Sequence, residues 1–388
     1  MTETAVVWTD KDDSRDAGAS LGEQISTELK QQPPDALILF ISPKYDVTQL
    51  LEAVQAACRP KVMMGCSSAG EFTSDSQGVG QASAVAIRST EMRFACGIGR
   101  GLQADRAAVA RKIVGAFDGT GKNAAGYSSA LVLTDALAGH ADDLIEDLTL
   151  LTGGNYQFFG GGAGDDANFR RTQVFCGTEV ASDAAVALEI LSTKPVGVGV
   201  RHGWSPASKP MRVTESVGGR LVSMNAIPAI ELFEDHARAT GQSFDPKDPM
   251  PFFLHNILGI DTGQGYKLRV PLAVHEDGSV SCAAEIPTGA TVCIMSTDSV
   301  SASEAAASAT REALQRLNGN EPKVALFFDC VATRLRLGRD FGSELKAVEQ
   351  VLGPARFAGC NTYGQVARAE GQFSGFHNCT AVVCILPG

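Results

Sequence analysis

This sequence of 388 residues has no long apolar run, and it has fewer basic than acidic residues. No stretch approaches the roughly 18 uninterrupted apolar residues that a membrane-spanning helix needs. Lys and Arg number 33 against 44 Asp and Glu, which gives a net charge of −11. An acidic chain is a poor partner for nucleic acid or for an anionic membrane. We therefore expect a globular protein that binds neither.

The sequence also lacks the leader of an exported protein and the cysteine spacing of a zinc site. Residues 1–13 carry four acidic side chains and no apolar run, unlike a signal peptide. The ten cysteines include no C-x-x-C pair, and most lie inside apolar, strand-like segments. This spacing argues against a zinc ribbon or a thioredoxin motif. It is typical of buried free thiols in a reducing cytosol, and a cytoplasmic protein is expected.

What the sequence does contain is an internal repeat. Three times an apolar strand leads through a helix to a second apolar segment that ends in a Gly-rich turn. The units comprise strands at 36–42, 130–135 and 324–330, helices at 47–57, 142–151 and 342–351, and turns at 65–71, 160–166 and 359–365. Each strand start precedes its turn by about 29 to 35 residues, the size of a βαβ unit. Uninterrupted apolar strands predict sheets covered on both faces.

The second half adds shorter strands separated by turns. Residues 267–274, 279–286 and 291–295 are predicted to form a β meander, and the Ala-rich segments 106–117 and 305–317 are predicted to be helices. The Pro-containing segment 205–212 interrupts the pattern. The expected fold class is α/β, with two α/β-rich domains built from repeated strand–helix–turn units, at residues 1–208 and 209–388.

Several of these segments occur, in this order, in one known family. The turn Gly65–Glu71 resembles the GCSTAGE signature of FIST N-terminal domains, and residues 160–166 resemble their second motif. Residues 195–204 are similar to the strand that closes that domain. Segments 212–216, 221–233, 359–365 and 376–382 resemble the opening and the close of the FIST C-terminal domain. One departure is Gln365, where the family usually has Glu.

The resemblance implies a sensory protein for a small ligand rather than an enzyme. A stand-alone pair of FIST domains resembles the haem-binding, nitric-oxide-sensing branch called NosP, which partners separate histidine kinases. It thus implies haem b as the cofactor, a gas as the ligand and a histidine kinase as the partner. The alternative is a haem-free sensor of a metabolite such as an amino acid.

The Gly-rich turns are candidate ligand sites because glycine exposes backbone N–H groups and permits close approach. None has the G-x-x-x-x-G-K-[ST] spacing of a phosphate-binding P-loop. The alternative is tight packing between repeats. The predicted ligand contacts are Gly65, Cys66, Ser67, Gly359, Asn361 and Tyr363.

The sequence contains no complete motif for a group of catalytic residues. Ser67 approximates the G-x-S-x-G nucleophile elbow, but Ala69 replaces the final glycine and nothing joins the serine to a histidine and an acid. Asp165 and Asp166 are expected to bind backbone donors rather than to act as a general acid–base pair. We therefore expect no enzyme.

Two of the six histidines are candidate haem ligands. His255 lies between bulky apolar residues, which favours the neutral imidazole that iron requires. It is predicted to be the axial metal ligand, with a hydrogen-bonded core histidine as the alternative. His236 is the second candidate, on what is expected to be the polar face of a helix. Arg269 interrupts an apolar strand and is predicted to bind a haem propionate or a ligand carboxylate; a surface-facing arginine is the alternative.

Overall fold

The structure is a computed structural model that describes residues 1–120, 126–298, 300–368 and 374–388. None of the helices in these ranges is both long and apolar enough to cross a membrane. In chain order they are α1 (Ser14–Glu28), α2 (Val47–Cys58), α3 (Leu102–Val114), α4 (Ala141–Leu151), α5 (Ala229–Thr240), α6 (Met250–Phe253), α7 (Ser301–Arg316), α8 (Val331–Leu337) and α9 (Gly342–Leu352).

The strands are short and evenly spread along the chain. In the first half they are β1 (Thr2–Thr9), β2 (Ala36–Ile41), β3 (Val62–Ser67), β4 (Glu71–Thr73), β5 (Gln77–Gly78), β6 (Ala82–Ser89), β7 (Met92–Arg100), β8 (Tyr127–Thr134), β9 (Gln157–Gly162), β10 (Val174–Cys176), β11 (Glu179–Ala181), β12 (Ala184–Ser192), β13 (Gly197–Arg201) and β14 (Ser205–Pro206). The second half continues with β15 (Met211–Val217), β16 (Arg220–Met224), β17 (Ile227–Pro228), β18 (Ile257–Asp261), β19 (Tyr266–Arg269), β20 (Pro271–Val274), β21 (Val280–Cys282), β22 (Thr291–Ser296), β23 (Pro322–Cys330), β24 (Arg356–Thr362), β25 (Gln365–Arg368), β26 (Ser374–His377) and β27 (Ala381–Pro387).

Within the described ranges the strands assemble into four sheets. Sheet one has the order β1-β6-β2-β3-β10-β11, and sheet two has the order β26-β25-β9-β8-β12-β7. Sheet three is β13-β27-β23-β24-β4-β5. Sheet four follows the path β19-β18-β22-β15-β16-β21-β20, with β14 and β17 attached to it.

The predicted α/β fold and its three βαβ units are confirmed. Parallel pairs form between β2 and β3, between β8 and β9, and between β23 and β24. Helices α2 and α4 connect the first two pairs, and α8 and α9 connect the third. The additional helix α8 accounts for the longer spacing of the third unit.

The helix of the first unit begins with a residue that satisfies free backbone donors. Asp46 caps α2, where its carboxylate accepts a hydrogen bond of 3.1 Å from the N–H of Gln49. Leu50, Leu51 and Val54 then form the face of α2 that is buried against sheet one. The same arrangement of an apolar helix face on a sheet recurs for α4 and α9.

Sheets one, two and three face a single central core, and helices cover their outer faces. Along β2, Ala36, Ile38 and Phe40 point to the central core, whereas the alternate residues pack under α1 and α2. Along β23, Leu326 and Phe328 do the same. Because side chains alternate between the two faces of a strand, a strand buried on both faces must be apolar throughout. This explains the uninterrupted apolar runs of the repeat.

The two halves of the chain share sheets. Strand β25 pairs with β9, β24 pairs with β4, and β13 pairs with β27. The predicted division at residues 208 and 209 falls between β14 and β15, which both pair with β22. These long-range pairings bring the three Gly-rich turns together.

Candidate functional site

The three Gly-rich turns meet at one end of the central core. The N–H of Ala69 donates to the carbonyl of Asn361 over 2.9 Å, which joins the first turn to the third. The N–H of Gly162 donates to Gly364 over 2.8 Å, which joins the second turn to the third. The N–H of Gly164 donates to Ser67 over 2.9 Å, which joins the second to the first. Backbone groups proposed to receive a ligand are thus used to connect the repeats.

A glycine occupies the same place in all three parallel pairs. Gly65, Gly160 and Gly359 are registered against Leu39, Val132 and Phe327. A Cβ at Gly65 or Gly160 would lie 2.0 Å from the partner's carbonyl oxygen, and one at Gly359 would lie 1.8 Å from it. No real Cβ approaches a backbone atom this closely. The repeated glycine is therefore required for packing between strands.

The predicted ligand contacts in the first turn need correction. Gly65 is enclosed between Leu39 and the ring of Phe175, and Cys66 is wholly buried in the central core. The hydroxyl of Ser67 accepts a hydrogen bond of 2.9 Å from the N–H of Gln173. These side chains lie inside the protein, where a ligand does not reach them.

The third turn contributes one of its three predicted residues to a pocket. Gly359 is enclosed by Phe327 and Phe72, and the buried amide of Asn361 donates to Asp329 over 3.3 Å. Tyr363 instead lines a pocket, so only this contact remains in a position to touch a ligand.

Asp165 organises the second turn, as the sequence indicated. Its buried carboxylate accepts hydrogen bonds from the N–H groups of Phe169, Arg170 and Arg171, at 2.7 to 2.8 Å. It also accepts one from the hydroxyl of Tyr363. This network holds the ring of Phe169 against that of Tyr363, with centroids 4.5 Å apart and planes inclined by 17°. The result is a flat aromatic wall.

The apolar pocket lies beside this wall and encloses about 530 Å³, counted with the solvent at its mouth. We define it by Leu137, Phe169, Met250, Leu254, Leu335 and Tyr363 around its opening, with Val270, Leu272, Cys330 and Asn378 deeper inside.

The position of the apolar pocket follows from the topology. Leu137 follows the end of β8, Val331 follows β23, and Tyr363 follows β24. Crevices at the carboxyl ends of parallel strands are where α/β folds bind ligands. Of the three Gly-rich turns, the third borders this pocket through Tyr363. The first turn lies behind it, where Ala69 packs against Val331 and Tyr363.

A second, polar cavity, with room for about one water molecule, lies behind the apolar pocket. We define it by Trp204, Asp329, Thr333, Arg336, Glu344 and Cys379. Burial raises the pKa of both Asp329 and Glu344, and repulsion between the two carboxyls raises that of Glu344 further. The Arg336 guanidinium lies over the Trp204 ring at 5.5 Å. The cavity therefore holds two acids whose ionisation is opposed by burial.

The candidate histidines do not lie where the sequence placed them. His255 is exposed rather than surrounded by apolar side chains, although Phe252, Phe253 and Asn256 on either side of it are buried. Partial desolvation and the charge of Arg336 nevertheless lower its pKa. His236, expected on a polar face, is buried on α5 and hydrogen-bonded to Asn256 at 3.2 Å. Burial lowers the pKa of His236 as well.

Arg269 is neither a surface residue nor free to bind a ligand. Its side chain is 1% exposed and donates to the carbonyls of Glu285, Leu268 and Phe376 at 2.9 to 3.0 Å. It also forms an ion pair with Asp142. Its predicted role in binding a propionate or carboxylate is corrected, because these partners occupy the guanidinium.

Residues 35–227 match the FIST N domain, and residues 229–368 match the FIST C domain. The chain belongs to the FIST family. No curated protein matches this FIST chain. FIST domains serve in sensing and signal transduction and bind small ligands, and this is the role of the protein.

Gln365, the departure from the usual FIST glutamate, has a structural place. Its buried amide donates to the hydroxyl of Thr362 over 2.8 Å, and its carbonyl oxygen accepts from the N–H of Thr380 over 3.2 Å. An amide serves as donor and acceptor at once, without the cost of burying a charge. The substitution is therefore accommodated within the FIST C domain.

Sequence reasoning missed most of the apolar pocket. Phe169, Leu335 and Leu137 lie in segments without a motif, and only the fold brings them together. One signal was available: residues that directly follow buried parallel strands, such as Cys330 and Val331, meet at a binding edge. Within the described residues, no group of three or more His, Cys, Asp or Glu side chains is placed to hold a metal ion.

Proposed function

We propose that this FIST protein senses a small, mostly apolar molecule that binds in the apolar pocket. The observation that carries the proposal is at the pocket mouth. Leu137, Phe169 and Leu335 are 40%, 44% and 44% exposed, and all three surround this one opening. Scattered exposed apolar side chains need no explanation, but a contiguous group of them marks a binding surface.

The lining indicates the chemistry of the ligand. The stacked rings of Phe169 and Tyr363 offer a flat face, and Val270 and Leu272 make the interior apolar. Asn378 is the polar side chain that can orient a ligand inside the pocket. A flat, largely apolar metabolite fits these surfaces better than a free amino acid, whose carboxylate was expected to bind the now engaged Arg269.

A ligand in this pocket touches both halves of the chain. Leu137 and Phe169 come from the first half, whereas Leu254 and Leu335 come from the second. A ligand that prefers one arrangement of these elements shifts the population toward it. We propose that a separate cytoplasmic histidine kinase reads this shift. Because Tyr363 and Asp165 serve each other structurally, the site favours binding over catalysis, and we propose no enzymatic activity.

Removing one face of the aromatic wall tests the pocket. Phe169→Ala is expected to weaken binding of the neutral, flat fluorophore N-phenyl-1-naphthylamine by about tenfold, since burial of an aromatic side chain contributes about 1.5–3 kcal/mol. Leu150→Gln, at a 71% exposed position on α4, is the matched control and should leave binding unchanged. A fluorescence titration gives both affinities. Equal affinity of Phe169→Ala and the unmodified chain would reject the pocket.

Haem b with nitric oxide as the sensed gas is the second candidate function. The observation that favours it is His255, a neutral and exposed imidazole directly after Leu254, which lines the pocket. The fit is incomplete, because neither His255 nor His236 is among the pocket-lining residues and Arg269 is engaged. We therefore rank it below a haem-free ligand.

Titration with haem distinguishes the two candidates. If haem is the cofactor, the Soret band should saturate at one haem per chain, and His255→Ala should shift or abolish it. His140→Ala, at a half-buried position on the other half of the chain, is the control and should leave the spectrum unchanged. If haem does not bind at one per chain, the haem-sensor function is rejected and the apolar metabolite remains as the proposed ligand.

A further inference from the structure

Cys330 and Cys379 lie together at the wall between the two cavities. Strand β23 ends at Cys330, and its antiparallel partner β27 begins two residues after Cys379. The pairing of Phe328 with Val382, continued along both strands, places Cys330 opposite Thr380, next to Cys379. Both cysteines belong to the same packed cluster, and the side chain of each shifts the pKa of the other's thiol.

The two thiols face different surroundings. Cys330 lines the apolar pocket, and Cys379 lines the polar cavity. A molecule in the apolar pocket therefore meets the sulfur of Cys330 first, with the sulfur of Cys379 directly behind it. The binding function proposed above requires neither of the two thiols.

Cys330 is also the more reactive thiol of the pair. Interaction with the Cys379 side chain lowers the pKa of Cys330 to about 7 against the opposing effect of burial, and the backbone groups of Cys379 and Ala332 and the side chain of Gln365 add to the lowering. The pKa of Cys379 is raised by the same interaction and by burial. The thiolate is the nucleophilic form of cysteine. Near neutral pH the attacking sulfur is thus on the pocket side.

We propose that Cys330 and Cys379 form an oxidation site for apolar organic hydroperoxides that enter through the apolar pocket. This inference rests on the proposed function, since the same pocket admits the ligand. The Cys330 thiolate attacks the terminal peroxide oxygen, the O–O bond breaks, and the alkoxide takes a proton and leaves as an alcohol. Cys330 becomes a sulfenic acid.

Cys379 then completes the reaction. Its thiol attacks the sulfenic sulfur, a disulfide forms, and water leaves with the hydroxyl group and the thiol proton. In total the hydroperoxide is reduced to an alcohol and water, and the two thiols lose two hydrogens. The new bond joins the end of β23 to the segment before β27, at the start of α8, which bears Val331 and Leu335 of the pocket.

A second cysteine pair must be removed before the test. Cys96 and Cys176 are partly exposed, and the side chain of each shifts the pKa of the other's thiol, so bulk oxidants can react with them directly. The experiment therefore uses the full chain carrying Cys96→Ser and Cys176→Ser, treated with cumene hydroperoxide or with hydrogen peroxide. Peptide mapping by mass spectrometry locates the disulfide. We expect a Cys330–Cys379 disulfide, formed about tenfold faster with cumene hydroperoxide because its ring is buried in the pocket.

Variants divide the reaction into its steps. With Cys379→Ser, dimedone should trap the sulfenic acid on Cys330; with Cys330→Ser, neither product should form. Cys58→Ser is the matched control, because serine can keep the hydrogen bond to the carbonyl of Val54, and it should behave like the parent. No disulfide in the parent and no dimedone adduct on Cys330 would overturn the inference even if Cys330→Ser fails to fold.

The fluorophore separates this inference from the proposed function. N-phenyl-1-naphthylamine should slow oxidation by cumene hydroperoxide if both share the apolar pocket. Fluorophore binding without oxidation of Cys330 would overturn the oxidation site and leave the binding function intact. Equal oxidation by both peroxides, without protection by the fluorophore, would overturn the apolar pocket as the entrance.

Discussion

Replacing Asp142 by alanine is expected to destabilise the fold by about 3–5 kcal/mol, the usual cost of leaving one member of a buried ion pair alone. Asp142 lies in the first turn of α4 and pairs with Arg269 on β19 and with Lys267 at 3.0 Å. It also accepts a hydrogen bond of 2.7 Å from the N–H of Phe376. Without this carboxylate the 1% exposed guanidinium of Arg269 keeps its charge but loses its counter-ion.

The neighbouring aspartate is the control for this prediction. Asp143 pairs with Arg106 at 2.7 Å, but its side chain is 50% exposed, and surface pairs contribute about 1 kcal/mol or less. Urea unfolding followed by circular dichroism should therefore separate Asp142→Ala clearly from Asp143→Ala. Equal stability of the two variants would contradict the structural role assigned to Arg269.

The stabilisation from Asp142 should also depend on pH. Burial opposes its ionisation, but the charges of Arg269 and Lys267 lower the pKa of Asp142 overall. A carboxyl group with a lowered folded-state pKa stabilises fully above its unfolded pKa, about 3.9, and loses this contribution as pH falls through the folded value. The difference between the parent and Asp142→Asn should shrink below about pH 4.

Gly359→Ala is expected to destabilise the protein by about 3 kcal/mol or more, at the upper end of overpacking effects. Its Cβ would lie 1.8 Å from the carbonyl oxygen of Phe327 and 2.6 Å from the ring of Phe72. The strand cannot move away, because β24 is held between β23 and β4. The loss should appear in thermal unfolding without any ligand present.

A glycine outside the repeat provides the comparison. Gly115 ends α3 in a right-handed helical conformation, φ −63°, ψ −17°, that alanine adopts readily. Gly115→Ala should change stability by about 1 kcal/mol or less, because it also restricts the unfolded chain. If Gly359→Ala is as stable as Gly115→Ala but loses ligand binding, the repeated glycines contact ligand after all.

The sequence by itself determined the three strand–helix–strand units. Strand β2, for example, is apolar at every position because helices cover one of its faces and the shared core covers the other, so the pattern can be read from this segment alone. Helix limits were also close: the segment predicted at 47–57 is Val47–Cys58, and that at 342–351 is Gly342–Leu352. Local apolar periodicity and spacing suffice for such elements.

Only the tertiary structure decided the site. The pairing of β25 with β9 and the contact between Phe169 and Tyr363 join residues about two hundred positions apart, and no local pattern records such partners. The burial of individual side chains likewise could not be read from the sequence. Arg269 was correctly identified as unusual in its strand, but its partner Asp142 lies in a distant helix, so the sequence did not reveal that the charge is satisfied within the protein. A sequence shows which side chains could take part in chemistry. Their exposure to solvent and their neighbouring groups, which set their reactivity, are decided only when the chain folds.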